Sequence, residues 1–126
     1  MSLFCEQITG LIQDKLEYEN QSLGVQIRFD ENFIGFDGHF PGKPVLPGVI
    51  MIKVMIRMYE LYKKKEYRLS QIKKAKFIEP ILAGMAASFF ISANEKKDES
   101  ALQGKIIKEE KIIAKISLIL QETSAR

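Results

Sequence analysis

Only one stretch of this chain has both the length and the spacing of a substantial helix, and it is apolar on nearly every side. From 49 to 65 the polar residues Lys53, Arg57, Glu60 and Lys64 recur at spacings of four, three and four, which makes one narrow stripe. Most of the rest, from Ile50 to Tyr62, is apolar. A helix greasy on nearly all sides must be enclosed, so the remainder of the chain is expected to wrap around it. Lys63, Lys64, Lys65 and Arg68 gather at its C-terminal end, where the partial negative charge of the helix favours cations.

What would enclose this helix reads as sheet. Leu23, Val25, Ile27 and Phe29 alternate with Gly24, Gln26, Arg28 and Asp30, the period of a half-buried strand. Residues 71–78 and 85–95 read as two more strands, the second with Ala87, Phe89, Ile91 and Ala93 on one face. Residues 101–108 and 111–121 read as a hairpin, with Ala114, Ile116, Leu118 and Leu120 facing the core. Residues 4–18 are ambiguous: a short helix ending near Gly10, then a strand over 11–19 and a turn at 20–22. The order predicts an α+β fold, one curved antiparallel sheet around one central helix, in a single domain over 1–126.

At 126 residues and 46% hydrophobic content the chain can bury an adequate core. A net charge of +3 without interleaved basic and aromatic residues argues against a nucleic-acid partner. The single cysteine, Cys5, excludes an intrachain disulfide, and one Cys with one His cannot make a zinc site. The first nine residues lack the basic start and apolar run of a secretory leader. The longest apolar tract is broken by Pro47, Gly48 and Lys53 and is too short to span a bilayer. A cytoplasmic location is the expectation.

The segment before the central helix is the densest in information. It reads Phe36-Asp37-Gly38-His39-Phe40-Pro41-Gly42-Lys43-Pro44-Val45-Leu46-Pro47-Gly48-Val49 and holds the only histidine of the chain. Prolines and glycines stiffen it and allow its turns. Such a loop delivers an imidazole to a helix N-terminus, an arrangement suited to proton abstraction beside a polarised carbonyl. Asp37 reads as a turn residue. Met51, Met55, Met58, Met85, Phe89 and Phe90 read as core, with an acyl tunnel as the alternative use of the methionines.

The run His39-Phe40-Pro41-Gly42, Pro44-Val45 and Pro47-Gly48-Val49 resembles the signature of the β-hydroxyacyl-acyl-carrier-protein dehydratases, which have the hot-dog fold. The segment from Lys76 to Gly84 is similar to a second family segment, with Ala83 where the family prefers proline and Met85 where it prefers an acid. The resemblance implies a 3-hydroxyacyl thioester substrate, carried on acyl carrier protein or coenzyme A, and no cofactor or metal. It implies His39 as the base; a histidine of ordinary pKa, ~6.5, is largely neutral at cellular pH. The N–H groups of Gly48 and Val49 would polarise the thioester carbonyl, and Phe40, Pro41, Gly42, Pro44 and Pro47 would shape the loop.

Departures from the family pattern set the open question. The family's Glu or Asp, fourteen residues after the histidine, is here Lys53, and its frequent glutamine four residues later is Arg57. The family assembles each site across a dimer, histidine from one subunit and carboxylate from the other. Three readings stay open: a dehydratase with Lys53 as the acid; a half-site or non-catalytic subunit of a heterodimer; or a homodimer that binds or hydrolyses acyl thioesters. Lys63, Lys64, Lys65 and Arg68 are candidates for docking an acidic carrier protein, with ordinary solvation as the alternative.

Overall fold

The computed structural model describes residues 3–30, 33 and 45–123. Among these the order is α1 (Leu3–Ile12), β1 (Glu17–Glu19), β2 (Ser22–Arg28), α2 (Gly48–Lys63), β3 (Tyr67–Phe77), β4 (Ala86–Lys96), β5 (Glu99–Lys108) and β6 (Lys111–Glu122). The strands form one antiparallel sheet in the order β1-β2-β4-β5-β6-β3, and α2 packs on one face of it. The expected α+β arrangement of one sheet and one central helix is present. No described helix is long and apolar enough to cross a membrane.

Helix α2 is held by apolar residues on the sheet side and along its flanks. Ile50, Met51, Ile52, Val54, Met55, Met58 and Tyr59 are buried. They meet the inward residues of the strands, including Val25, Ile27, Phe89, Ile91, Leu102, Ile106 and the expected set Ala114, Ile116, Leu118 and Leu120. A Cβ on Gly104 of β5 would collide with the sulfur of Met55. The glycine therefore makes a dimple into which the helix sinks. Burial is not complete, however: Val49 is 57% exposed and Lys53 is exposed too.

Helix α1 corrects one expectation. It runs through Gly10 to Ile12, and the strand after it is only Glu17–Glu19. Ile8 and Ile12 lie one turn apart and both are buried, while Gly10 sits exposed between them. Burial of that face outweighs the ~1 kcal/mol helix penalty of one glycine. Helix α2 also stops earlier than 65: Lys64 takes a left-handed conformation (φ 59°) and donates its N–H to the Glu60 carbonyl. Strand β3 begins at Tyr67 rather than 71, with irregularities between Leu69 and Gln71 and between Ile72 and Lys74.

Candidate functional site

The start of α2 is built by three local ties. Pro47 is the N-cap, with an extended backbone, and its carbonyl accepts from the N–H groups of Ile50 (3.0 Å) and Met51 (3.4 Å). Proline offers no side-chain cap, and the N–H groups of Gly48 and Val49 have no acceptor among the described residues. Two donors thus stand at the helix N-terminus, where the positive end of the helix lies. The incoming chain is pinned: Leu46 N–H donates to the Ile81 carbonyl (2.8 Å), and Val45 bridges Leu82.

Segment 81–85 is fixed in its turn. Gly84 takes φ +86°, which only glycine adopts without strain. Its N–H donates to the Phe29 carbonyl (2.7 Å), and its own carbonyl accepts from Arg28 Nη1 (2.9 Å). Strand β2 thereby positions the turn, and the turn positions the entry to α2. Phe77, at the end of β3, lays its ring against Gly48. This contact was not legible in the chain beyond the family-like segment that contains Phe77.

The histidine loop, with Asp37, His39, Phe40, Pro41, Gly42 and Pro44, lies outside the described residues. Gly48, Val49 and Pro47 stand together at the helix start. Lys53 is on the same helix, five residues further on and exposed. Arg57, in the position of the family's glutamine, is committed elsewhere. Its Nε donates to Thr9 Oγ1 (2.8 Å), and its Nη1 meets Glu60 Oε1 at 3.1 Å. It ties α1 onto α2, and Glu60 Oε2 in turn accepts from the Tyr67 N–H (2.9 Å). The polar stripe of the helix is thus partly the seam beneath α1.

The candidate docking cations sit at the other end of α2. A helix of 16 residues spans about 24 Å, so Lys63 lies far from Gly48. Lys63 pairs with Glu95 at 2.8 Å; the shared hydrogen bond raises the lysine's pKa and lowers the carboxyl's. Lys65 pairs with Glu122 at 3.4 Å, and Arg68 donates to Gln121. Beneath this end, the Tyr59 hydroxyl shares a buried 2.8 Å hydrogen bond with Ser100. Burial pushes the Tyr59 phenol up to about 12. Nothing in the chain's periodicity announced that pair.

Residues 15–116 match the family model described as ApeI-like, ApeI dehydratase. The 3-hydroxyacyl-[acyl-carrier-protein] dehydratase FabZ of Clostridium acetobutylicum is 31% identical over 103 residues, covering 67% of this chain and 72% of the relative. The protein of the same name from Lactobacillus helveticus is 28% identical over 128 residues, covering 93% of this chain and 83% of the relative. Among solved structures, the dehydratase heterocomplex ApeI:P from Xenorhabdus doucetiae superposes with a TM-score of 0.71 at 24% identity. That match covers 86% of this chain and 95% of the other, and bears out the hot-dog fold.

Proposed function

The chain belongs to the ApeI-like dehydratase family, and we propose that it acts on 3-hydroxyacyl thioesters presented by an acyl carrier protein, in fatty-acid, lipid or polyene synthesis in the cytoplasm. The observation that carries the reading is the start of α2. Its first two N–H groups, at Gly48 and Val49, have no acceptor among the described residues. Donors fixed in advance are what a developing enolate oxygen needs. The whole chain serves as one hot-dog unit.

In this reading His39 takes the proton from the carbon beside the thioester carbonyl. The electrons move onto the carbonyl oxygen, held by Gly48 and Val49. They return as the C–O bond to the 3-hydroxyl breaks, and the hydroxyl leaves as water once an acid has protonated it. Each turnover yields one enoyl thioester and one water. Phe40, Pro41, Gly42, Pro44 and Pro47 hold the loop in shape. Lys63, Lys64, Lys65 and Arg68 would dock the acidic carrier protein, and to do so Lys63 and Lys65 must exchange their present carboxylate partners.

A second reading rests on Lys53. With a lysine in the carboxylate position, the chain serves as half of a two-subunit site, its partner supplying the acid to His39. One experiment separates the two. The purified chain is given a 3-hydroxyacyl thioester alone and then together with a carboxylate-bearing relative, and enoyl product is measured. Turnover alone, abolished by His39→Ala, supports the complete enzyme. Turnover only in the mixture supports the half-site. Release of free thiol in place of enoyl product would overturn both.

A further inference from the structure

The chain that enters α2 is held by a strap, Ile78 to Met85, which joins β3 to β4. The middle of the strap makes the contact: the Ile81 carbonyl accepts from the Leu46 N–H (2.8 Å), and Leu82 bridges Val45. Ile81 is fully buried, so this point is anchored in the core. Pro47 follows Leu46 at once, and its side chain makes no capping hydrogen bond. The place of Gly48 and Val49 therefore depends on backbone ties that run through the strap.

The two ends of the strap are anchored unequally. At the β3 end the N–H groups of Ile78 and Glu79 both donate to the Ile113 carbonyl (2.8 and 3.3 Å), and the Glu79 carboxylate pairs with Lys108 and Lys111. At the β4 end the chain reverses through a tight turn, in which the Met85 N–H donates to the Leu82 carbonyl (3.1 Å) and Gly84 takes φ +86°. A backbone bond to Phe29 and a side-chain bond from Arg28 hold this turn to β2. Arg28 stands opposite Ala86 on the last rung between β2 and β4, and its guanidinium reaches back to the Gly84 carbonyl. A charged donor makes the stronger kind of hydrogen bond, and here it acts on the end of the strap with fewer ties.

We propose that Arg28 is a positioning residue for the reaction: through the Gly84 turn and the strap it sets where the Gly48 and Val49 amides stand. Gly84 and Ile81 lie within one tight turn of each other, so slack at the first passes to the second. From Ile81 it reaches Leu46, two residues before the amides. Donors aimed at a developing oxyanion act only within a narrow geometry. A misplacement of about 1 Å, caused far from the chemistry, can cost about a hundredfold in rate. A plain surface role for Arg28 accounts for its exposure and leaves its aim at the Gly84 carbonyl unexplained. The role rests on the reading of Gly48 and Val49 as the carbonyl-polarising pair, and its test carries a readout that needs no turnover, so either can fail alone.

The test compares Arg28→Met, which removes the donors, with Arg28→Lys, which keeps a charged donor. Glu79→Gln, at the end with two further backbone ties, is the control. The first readout is amide hydrogen exchange in the full chain, with circular dichroism confirming the fold. Arg28→Met should speed exchange of the Leu46 N–H at least about tenfold as the strap opens locally, and Arg28→Lys should restore most of the protection. The second readout is turnover of a 3-hydroxyacyl thioester by whichever assembly is active, the chain alone or with a carboxylate-bearing relative. Arg28→Met should lower kcat at least about tenfold with KM within about twofold, the mark of an interaction made only in the transition state, and Arg28→Lys should recover most of the loss. If Arg28→Met does not fold, Arg28→Gln, whose side chain is shorter, is read in the same way. Unchanged Leu46 exchange in a folded variant, a rise in KM with kcat intact, no recovery in Arg28→Lys, or an equal loss in Glu79→Gln would each overturn the proposal. If no assembly turns over, the proposed reaction falls, and Leu46 exchange still decides the role of Arg28.

Discussion

The ring of Phe77 rests against the backbone of Gly48, so closely that a Cβ on the glycine would meet ring carbons at 2.7 and 2.8 Å. The first residue of the central helix is thus roofed by the last residue of β3, two elements 29 positions apart in the chain. Whatever approaches the Gly48 and Val49 amides shares that space with the ring. Gly48→Ala is expected to push the ring aside. The ring is 43% exposed and can move, while alanine favours a helix by up to ~1 kcal/mol over glycine. Stability measured by denaturant should therefore change by less than about 1 kcal/mol. Dehydratase turnover should fall by at least about tenfold, because the added methyl and displaced ring occupy the carbonyl's approach.

The other tight glycine has the opposite character. Gly104 faces the sulfur of Met55, and Met55 is 1% exposed. Gly104→Ala forces overpacking where nothing can move into solvent. We expect a loss of about 1–3 kcal/mol in unfolding free energy. Met55→Ala, which empties the dimple instead, should cost about 2–5 kcal/mol. If the two effects are coupled through this contact, the double variant should lose less than the sum of the singles.

These two glycines also show what was legible in the chain. Gly48 stood inside a motif rich in proline and glycine, so its place at a helix start could be read directly. Gly104 lay in an unmarked strand, and its role depends on a methionine 49 residues away. Strand β6 is plain from its alternation, because the face from Ala114 to Leu120 is buried. Strand β3 is legible only in part. Both its faces are exposed, and two irregularities break its period, so the alternation that marks a half-buried strand is missing before Gln71. Arg57 looked like part of a solvated stripe because its partner, Thr9, lies on a helix that the ambiguous N-terminal segment did not define.

Tyr59 predicts how stability falls at high pH. Its phenol is raised from 10.0 to about 12, chiefly because burial disfavours the phenolate. The unfolded chain releases this proton near pH 10, whereas the folded chain keeps it until about 12. The unfolded state therefore binds fewer protons in that window, and stability drops as pH rises through it. Tyr59→Phe should flatten this slope in denaturation curves collected across the same window. It should also delete the latest phase of the phenolate absorbance titration. Because Ser100 would lose its partner, stability near neutrality should fall by about 1 kcal/mol.

The acid side depends on carboxylates. Glu79 meets Lys111 at 2.6 Å and Lys108 at 3.2 Å, and these hydrogen bonds hold its carboxyl below the ordinary glutamate range. Its contribution is present above the unfolded pKa and lost as pH falls through the depressed folded value. Glu79→Gln should therefore reduce the loss of stability between neutral and acidic pH, read as a shallower fall in the denaturation midpoint. By the same linkage the midpoint at neutral pH should drop by the same amount as the acid fall is reduced, and both changes should be small, since exposed pairs contribute little.

Lys53→Glu tests the question the site poses most directly. Lys53 lies on the exposed side of α2, so the change should alter stability by less than about 1 kcal/mol. The resemblance to the dehydratases implies that histidine and carboxylate act across a subunit boundary, so the substitution is best made in one member of a pair. We expect a copy carrying Lys53→Glu together with His39→Ala, which lacks the base, to show little dehydratase activity alone. Mixed with the unaltered chain, it should produce enoyl thioester at least about a hundredfold faster than the same mixture retaining Lys53, the scale of one positioned acid. His39→Ala in the otherwise unaltered member should remove that gain, because the rebuilt site takes its base from that chain and its acid from the other. A folded, paired mixture with no gain would mean that Lys53 is not the missing element, and that the departure from the family extends to the loop or to the amides at the start of α2.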